Sequence, residues 1–177
     1  SIVSHTRWAS VGDVNNSNCH PVSNSFVNFN QPHSLIYSSL NGDIHNYKEL
    51  MNKSEVDVSQ IDSNCTNDCL AVSLHFSNRN LSKISTQVDC FNDLQGSFAI
   101  AIQASSNPDK ILLSSKGSQG LYLGVSYDSV MFASDVYGLV ESCRFFKSIK
   151  SGTLINLSKD FSPLGTSFRI PLHNLGN

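Results

Sequence analysis

The feature that most constrains this chain is a change of hydrophobic period at Gly96. Downstream, residues 97–104, 110–115, 121–126, 129–133 and 153–158 form short apolar or alternating runs of strand length. Asn107-Pro108-Asp109 and Tyr127-Asp128 separate neighbouring runs, and such residues close hairpins, so the strands they join run antiparallel. Upstream, the period is helical. A short helix fits 46–52, and a second runs through Leu70, Ala71, Leu74 and His75. A third spans 81–94, where Leu81, Ile84, Val88 and Phe91 recur at helical spacing. Residues 1–8 read as a buried strand, 10–34 as loop, and 34–40 as a strand ending in the turn Asn41-Gly42-Asp43. Residues 135–143 allow one more short helix. Helices followed by an antiparallel meander predict an α+β chain of stacked layers and exclude a βαβ repeat. One domain over residues 1–160 is expected, with 161–177 a tail or the start of a linker.

Composition removes several functions. Only 15% of the 177 residues are charged and the net charge is −2, so no basic field exists for a phosphate backbone and nucleic acid is an unsuitable partner. No apolar run reaches the roughly 18 residues that span a bilayer, so a membrane is not expected either. Ser and Asn supply 49 residues, which dilutes charge without creating a repeat. Five cysteines (Cys19, Cys65, Cys69, Cys90, Cys143) form no C-x-x-C pair, which argues against a zinc ribbon and for free thiols in a reducing cytoplasm. His33, His75 and His173 show no ligand spacing. The chain opens at Ser1, inside a strand-like run, as if cut from something longer.

Three positions are able to carry chemistry. Arg7, at the end of a strand, is placed either for an ion pair or for bidentate recognition of a carboxylate. Asn41-Gly42 is the commonest hairpin signal, yet it also sets a side-chain amide beside a backbone N–H, the pair of donors an oxyanion hole requires. Asp68 is a helix N-cap or a carboxylate for a substrate ammonium.

The order of the motifs adds a further reading. His5-Thr6-Arg7-Trp8-Ala9-Ser10, then His20-Pro21, then Asn41-Gly42-Asp43-Ile44-His45-Asn46-Tyr47, then Thr66-Asn67-Asp68 before an apolar helix resembles the class II glutamine amidotransferase domain. Gly96-Ser97-Phe98-Ala99-Ile100, Lys116-Gly117-Ser118 and Phe132-Ala133-Ser134-Asp135 extend the resemblance over residues 1–158. It implies the αββα four-layer sandwich of the N-terminal nucleophile hydrolases, with antiparallel sheets, here without its first strands. In that family an N-terminal Cys attacks the glutamine side-chain amide, and its own α-amino group acts as base.

By position, Arg7 would clamp the α-carboxylate of L-glutamine and Asp68 its α-ammonium. Asn41 and Gly42 would hold the oxyanion, while Trp8, Ser10 and His20 line the site. The family's Thr-His-Gly after the Trp is Ser10-Val11-Gly12 here, and no cysteine precedes His5. The chain is therefore expected to carry the glutamine-binding half of the site and to be inactive alone. The implied activity is glutamine hydrolysis with ammonia passed to a sugar phosphate such as fructose 6-phosphate, held by a separate isomerase domain. The alternatives are another acceptor or an inactive glutamine-binding scaffold. The resemblance implies no cofactor and no metal, and it allows a homodimer.

Overall fold

A computed structural model of the chain describes residues 2–6, 13–26, 34–54, 61, 63, 65–158 and 172–174. The strands are β1 (Val22–Ser23), β2 (Ile36–Ile44), β3 (Gly96–Ala104), β4 (Lys110–Lys116), β5 (Tyr122–Val125), β6 (Val130–Ala133), β7 (Phe145–Ser148), β8 (Thr153–Ser158) and β9 (Leu172–Asn174). The helices are α1 (Tyr47–Lys53), α2 (Asp68–Ser77), α3 (Ile84–Asn92) and the short α4 (Tyr137–Val140). Two antiparallel sheets form, one ordered β1-β2-β3-β4-β8-β9 and one ordered β6-β5-β7.

Alternation along the central strands fixes the layers. Ile36, Leu40 and Ile44 of β2, with Phe98, Ile100 and Ile102 of β3, face a core closed by α1, α2 and α3 through Leu50, Leu70, Leu74, Phe76 and Phe91. Ala99 and Ala101 of β3, with Ile111 and Leu113 of β4, face the opposite way and meet Leu121 and Leu123 of the second sheet. On the far side of that sheet α4 lies over Gly124, where a Cβ would stand 3.4 Å from Leu139. Helices, sheet, sheet and helix make the α+β four-layer αββα sandwich that the resemblance implies.

The meander downstream of Gly96 follows the hydrophobic period closely, and β8 covers the expected 153–158. Both hairpin turns close as expected, with Lys110 N donating to Asn107 O at 3.1 Å and Ser126 N donating to Ser129 O at 2.9 Å.

The upstream half departs in four places. Residues 2–6 adopt no strand. The loop expected over 10–34 contains the two-residue β1, whose register is Val22↔Ser38. Asn41-Gly42-Asp43 is not a turn. β2 runs through it in unbroken register with β3, Asn41↔Ala99 and Gly42↔Phe98, because nine consecutive pairs outweigh a local turn preference. Finally, α3 is rotated from its expected stripe. Ile84 is exposed, whereas Gln87, Cys90 and Phe91 are buried, and Gln87 Nε2 donates to Leu81 O at 2.7 Å. A polar residue on that face hid the true stripe. The strands β7 and β9 have no counterpart among the expected elements, and β9 lies within the 161–177 stretch and pairs with β8.

Candidate functional site

The site is organised by the edges of β2. Its odd-numbered residues make the hydrogen-bonded pairs with β3, as Ser105 N to Leu35 O and His45 N to Gln95 O (both 2.7 Å) show at the two ends. Even-numbered residues therefore turn their N–H groups to the other edge, where β1 reaches only Tyr37 and Ser38. Side chains complete that edge. Ile36 N donates to Asn24 Oδ1 at 2.8 Å, Leu40 N to His20 Nδ1 at 3.3 Å, and Ile44 N to Asp68 Oδ2 at 2.8 Å. The N–H of Gly42 stands between those of Leu40 and Ile44 on the same edge. Gly42, His20 and Asp68 thus meet along five residues of one strand.

Asp68 is 4% exposed and is the first residue of α2. It does not cap the helix. Asn67 does, its Oδ1 accepting from Cys69 N at 2.8 Å. Burial raises the Asp68 carboxyl above the usual carboxylate range, and the backbone N–H of Ile44 pulls the other way. The carboxylate therefore joins the start of α2 to the end of β2. A substrate ammonium would have to use its remaining lone pairs.

His20 sits in the preceding loop. Its Nε2 is 2.9 Å from Asn67 Nδ2, and its ring lies 4.4 Å, centroid to centroid, from His5 at a 45° tilt. His5, the first residue of the His-Thr-Arg-Trp motif, therefore lies beside His20. Arg7, Trp8 and Ser10 lie outside the described residues.

Asn41 faces the other way, into a cleft between the two sheets. The cleft is lined by His5, Ser39, Asn41, Ala99, Ala101 and Ser134 among others. The alanines of β3 leave room beside the amide. Asn41 Nδ2 donates to Gln119 Oε1 at 3.1 Å. The two proposed oxyanion donors are adjacent in sequence, one amide in the cleft and one N–H on the strand edge.

Two further residues hold the site, and neither carries a sequence signal. Asn18, fully buried, latches the His20 loop to the start of α2. Its Oδ1 accepts from Thr66 N at 2.8 Å, its Nδ2 donates to Thr66 Oγ1 at 3.1 Å and Asp13 O at 2.9 Å, and its carbonyl accepts from Asn67 Nδ2 at 3.0 Å. It is hidden in an Asn-rich run with no period, and Gln119 sits in an ordinary turn. Both are found only through their partners.

The thiols do not assemble into a site. Cys65, Cys69 and Cys90 are buried, and burial pushes the Cys90 thiol up to about 12, too high for a nucleophile. Among the described residues no cluster of His, Cys, Asp or Glu could hold a metal ion, and no helix is long and apolar enough to cross a membrane.

Comparison with known proteins agrees with this geometry. The glutamine amidotransferase domain family matches residues 24–141, about two thirds of the chain. The glutamine–fructose-6-phosphate aminotransferase (isomerizing) of Staphylococcus aureus is 30% identical over 158 residues, covering 89% of this chain and 25% of that protein. Its counterpart in Clostridium acetobutylicum is 29% identical over 167 residues, covering 89% and 24%. The chain thus spans about a quarter of the length of the curated relatives it matches. In fold it is similar to the glutamine phosphoribosylpyrophosphate amidotransferase of B. subtilis, with a TM-score of 0.66, 14% identity, and coverage of 97% of this chain and 34% of that one. An allosteric regulatory enzyme of purine biosynthesis superposes with a TM-score of 0.69 at 16% identity, again over 97% and 34%. Motif order, layer order and family match coincide, and the chain belongs to the glutamine amidotransferase domain family.

Proposed function

We propose that this chain is the glutamine-binding part of an amidotransferase that releases ammonia from the side-chain amide of L-glutamine for a sugar phosphate such as fructose 6-phosphate. The observation that carries this reading is the juxtaposition on β2 of the Asn41 amide, in the inter-sheet cleft, with the Gly42 N–H on the strand edge. Two such donors stabilise the oxyanion of a tetrahedral intermediate, and losing one typically raises the barrier by about 3 kcal/mol. Arg7 binds the substrate α-carboxylate bidentately, and Asp68 supplies the negative charge for the α-ammonium. Trp8, Ser10 and His20 line the site around them.

The nucleophile and its base would be an N-terminal Cys thiol and its own α-amino group, as the family's chemistry requires. The sugar-phosphate acceptor belongs to a separate isomerase domain, in line with relatives of which the match covers only about a quarter. The glutaminase step calls for no cofactor.

The test is glutamate formation from L-glutamine by the full-length polypeptide, parent against Arg7→Ala. We expect KM to rise about a hundredfold through loss of a charge-assisted pair worth roughly 3 kcal/mol, with kcat changed much less. An unchanged KM removes Arg7 from the site. Absence of glutamate formation by the parent, with L-glutamine binding retained, would favour the scaffold reading instead.

A further inference from the structure

Gln119 stands on the turn between β4 and β5, and that turn is pinned against the start of β3. Ser118 N donates to Ser97 Oγ at 3.0 Å, and the two serine hydroxyls are 3.0 Å apart. Ser97 is in register with Asp43, so the pinning carries the turn onto the strand end next to Gly42. Gln119 then lies over the proposed oxyanion donors. Its Oε1 accepts from Asn41 Nδ2 at 3.1 Å, and a Cβ placed on Gly42 would come 3.0 Å from its Cγ.

A carboxamide carries two N–H bonds on Nδ2 and turns freely unless something holds it. We propose that Gln119 is a positioning residue for the oxyanion hole. It takes one Nδ2–H of Asn41 and so fixes the plane of the amide with the second N–H directed into the cleft. The inference rests on reading Asn41 and Gly42 as the oxyanion donors. Gln119 touches no reacting atom in this scheme; it acts through Asn41. Its contribution is pre-organisation, since a donor already oriented has no reorganisation cost when charge develops. The cleft gives this a purpose, because Ala99 and Ala101 flank Asn41 with side chains too small and apolar to orient an amide.

Gln119→Met keeps length and removes the acceptor, whereas Gln119→Glu keeps an acceptor. The position is half-buried on a turn, so both variants should fold. In the full-length polypeptide, Gln119→Met should lower kcat for glutamate formation about tenfold and leave KM within about twofold, the split expected of a group that acts only in the transition state. In ¹⁵N NMR of this chain, solvent exchange of the Asn41 carboxamide should be slow in the parent and in Gln119→Glu, and fast in Gln119→Met. If Asn41→Ala is inactive while Gln119→Met keeps the parental kcat, or if Asn41 exchange ignores Gln119, the inference is overturned and the oxyanion reading stands. If Asn41→Ala itself keeps the parental kcat, the oxyanion reading fails and takes the inference with it.

Discussion

Gly42→Ala tests the strand and the site together. Gly42 has φ +107°, a conformation that an L side chain adopts only with strain, and it is paired with Phe98 in the middle of the β2–β3 ladder. A Cβ there would stand 2.1 Å from the Ser97 carbonyl oxygen and 3.0 Å from Phe98 Cα. Both neighbours are backbone, so relief requires the strands to part. Dihedral strain costs about 1–2 kcal/mol, and forcing atoms into a packed region adds about 1–3. The sum, roughly 2–5 kcal/mol, is a large share of the ~5–15 kcal/mol that holds a domain folded.

At roughly 2–4 °C per kcal/mol for a chain of this size, Tm should fall by about 4–20 °C. Gly152→Ala is the matched control. Its φ is +77°, but no atom lies within 4 Å of a Cβ placed there, so it incurs the dihedral strain alone, about 1–2 kcal/mol. Calorimetry of the two variants separates the terms. Equal shifts in Tm would mean that the Ser97 carbonyl does not abut Gly42. In that case Asn41-Gly42 would form the hairpin turn its local sequence favours, and the strand-edge account of the site would be wrong.

Three further outcomes follow from the same packing. Asn18→Ala should destabilise the chain by about 2–4 kcal/mol in urea unfolding, because it removes from a buried position three side-chain hydrogen bonds to Thr66 and Asp13. His75 is buried with Nε2 3.2 Å from Asp93 Oδ2, out of line for a hydrogen bond, and burial lowers its pKa against the pull of Asp93. A lowered folded value means that its stability contribution is intact above about pH 6.5 and is lost as pH falls through the folded value. His75→Leu should therefore flatten the decline of Tm below pH 6.5, and an unchanged slope would assign that decline elsewhere. Iodoacetamide at pH 8 should label exposed Cys19 first, whereas buried Cys65, Cys69 and Cys90 react only on unfolding, as peptide mass spectrometry would show.

The legible parts of this sequence are those where one face is apolar and the other is not constrained by function. The meander from β3 to β8 obeys that rule, and its period alone places most of the second half. The half that carries the site does not obey it. Ser38, Ser73 and Cys69 form a buried hydrogen-bonded cluster between β2 and α2, where period would call for aliphatic residues. Gln87 does the same on α3. Asn41-Gly42 misleads for a related reason, since a turn dipeptide sits inside a strand where a side chain would collide with β3. Motif order succeeded where period failed. Motif order does not ask whether a motif lies on loop or strand, and His5 and His20 stand on loops whereas Asn41-Gly42 stands on β2.

The edge of β2 shows why a glycine belongs at that collision. Because β1 has only two residues, the edge from Leu40 to Ile44 has no neighbouring strand among the described residues, and its N–H groups are satisfied in other ways. His20 takes the one at Leu40, and Asp68 the one at Ile44. The N–H between them belongs to Gly42, and in the proposed reading it is the backbone donor offered to the oxyanion. A strand neighbour would close that edge, and any larger residue would break the ladder behind it. Shortening β1 and placing Gly at 42 are thus one device. In the proposed reading, a row held by His20 and Asp68 presents the Gly42 N–H one residue from the Asn41 amide, which donates to Gln119.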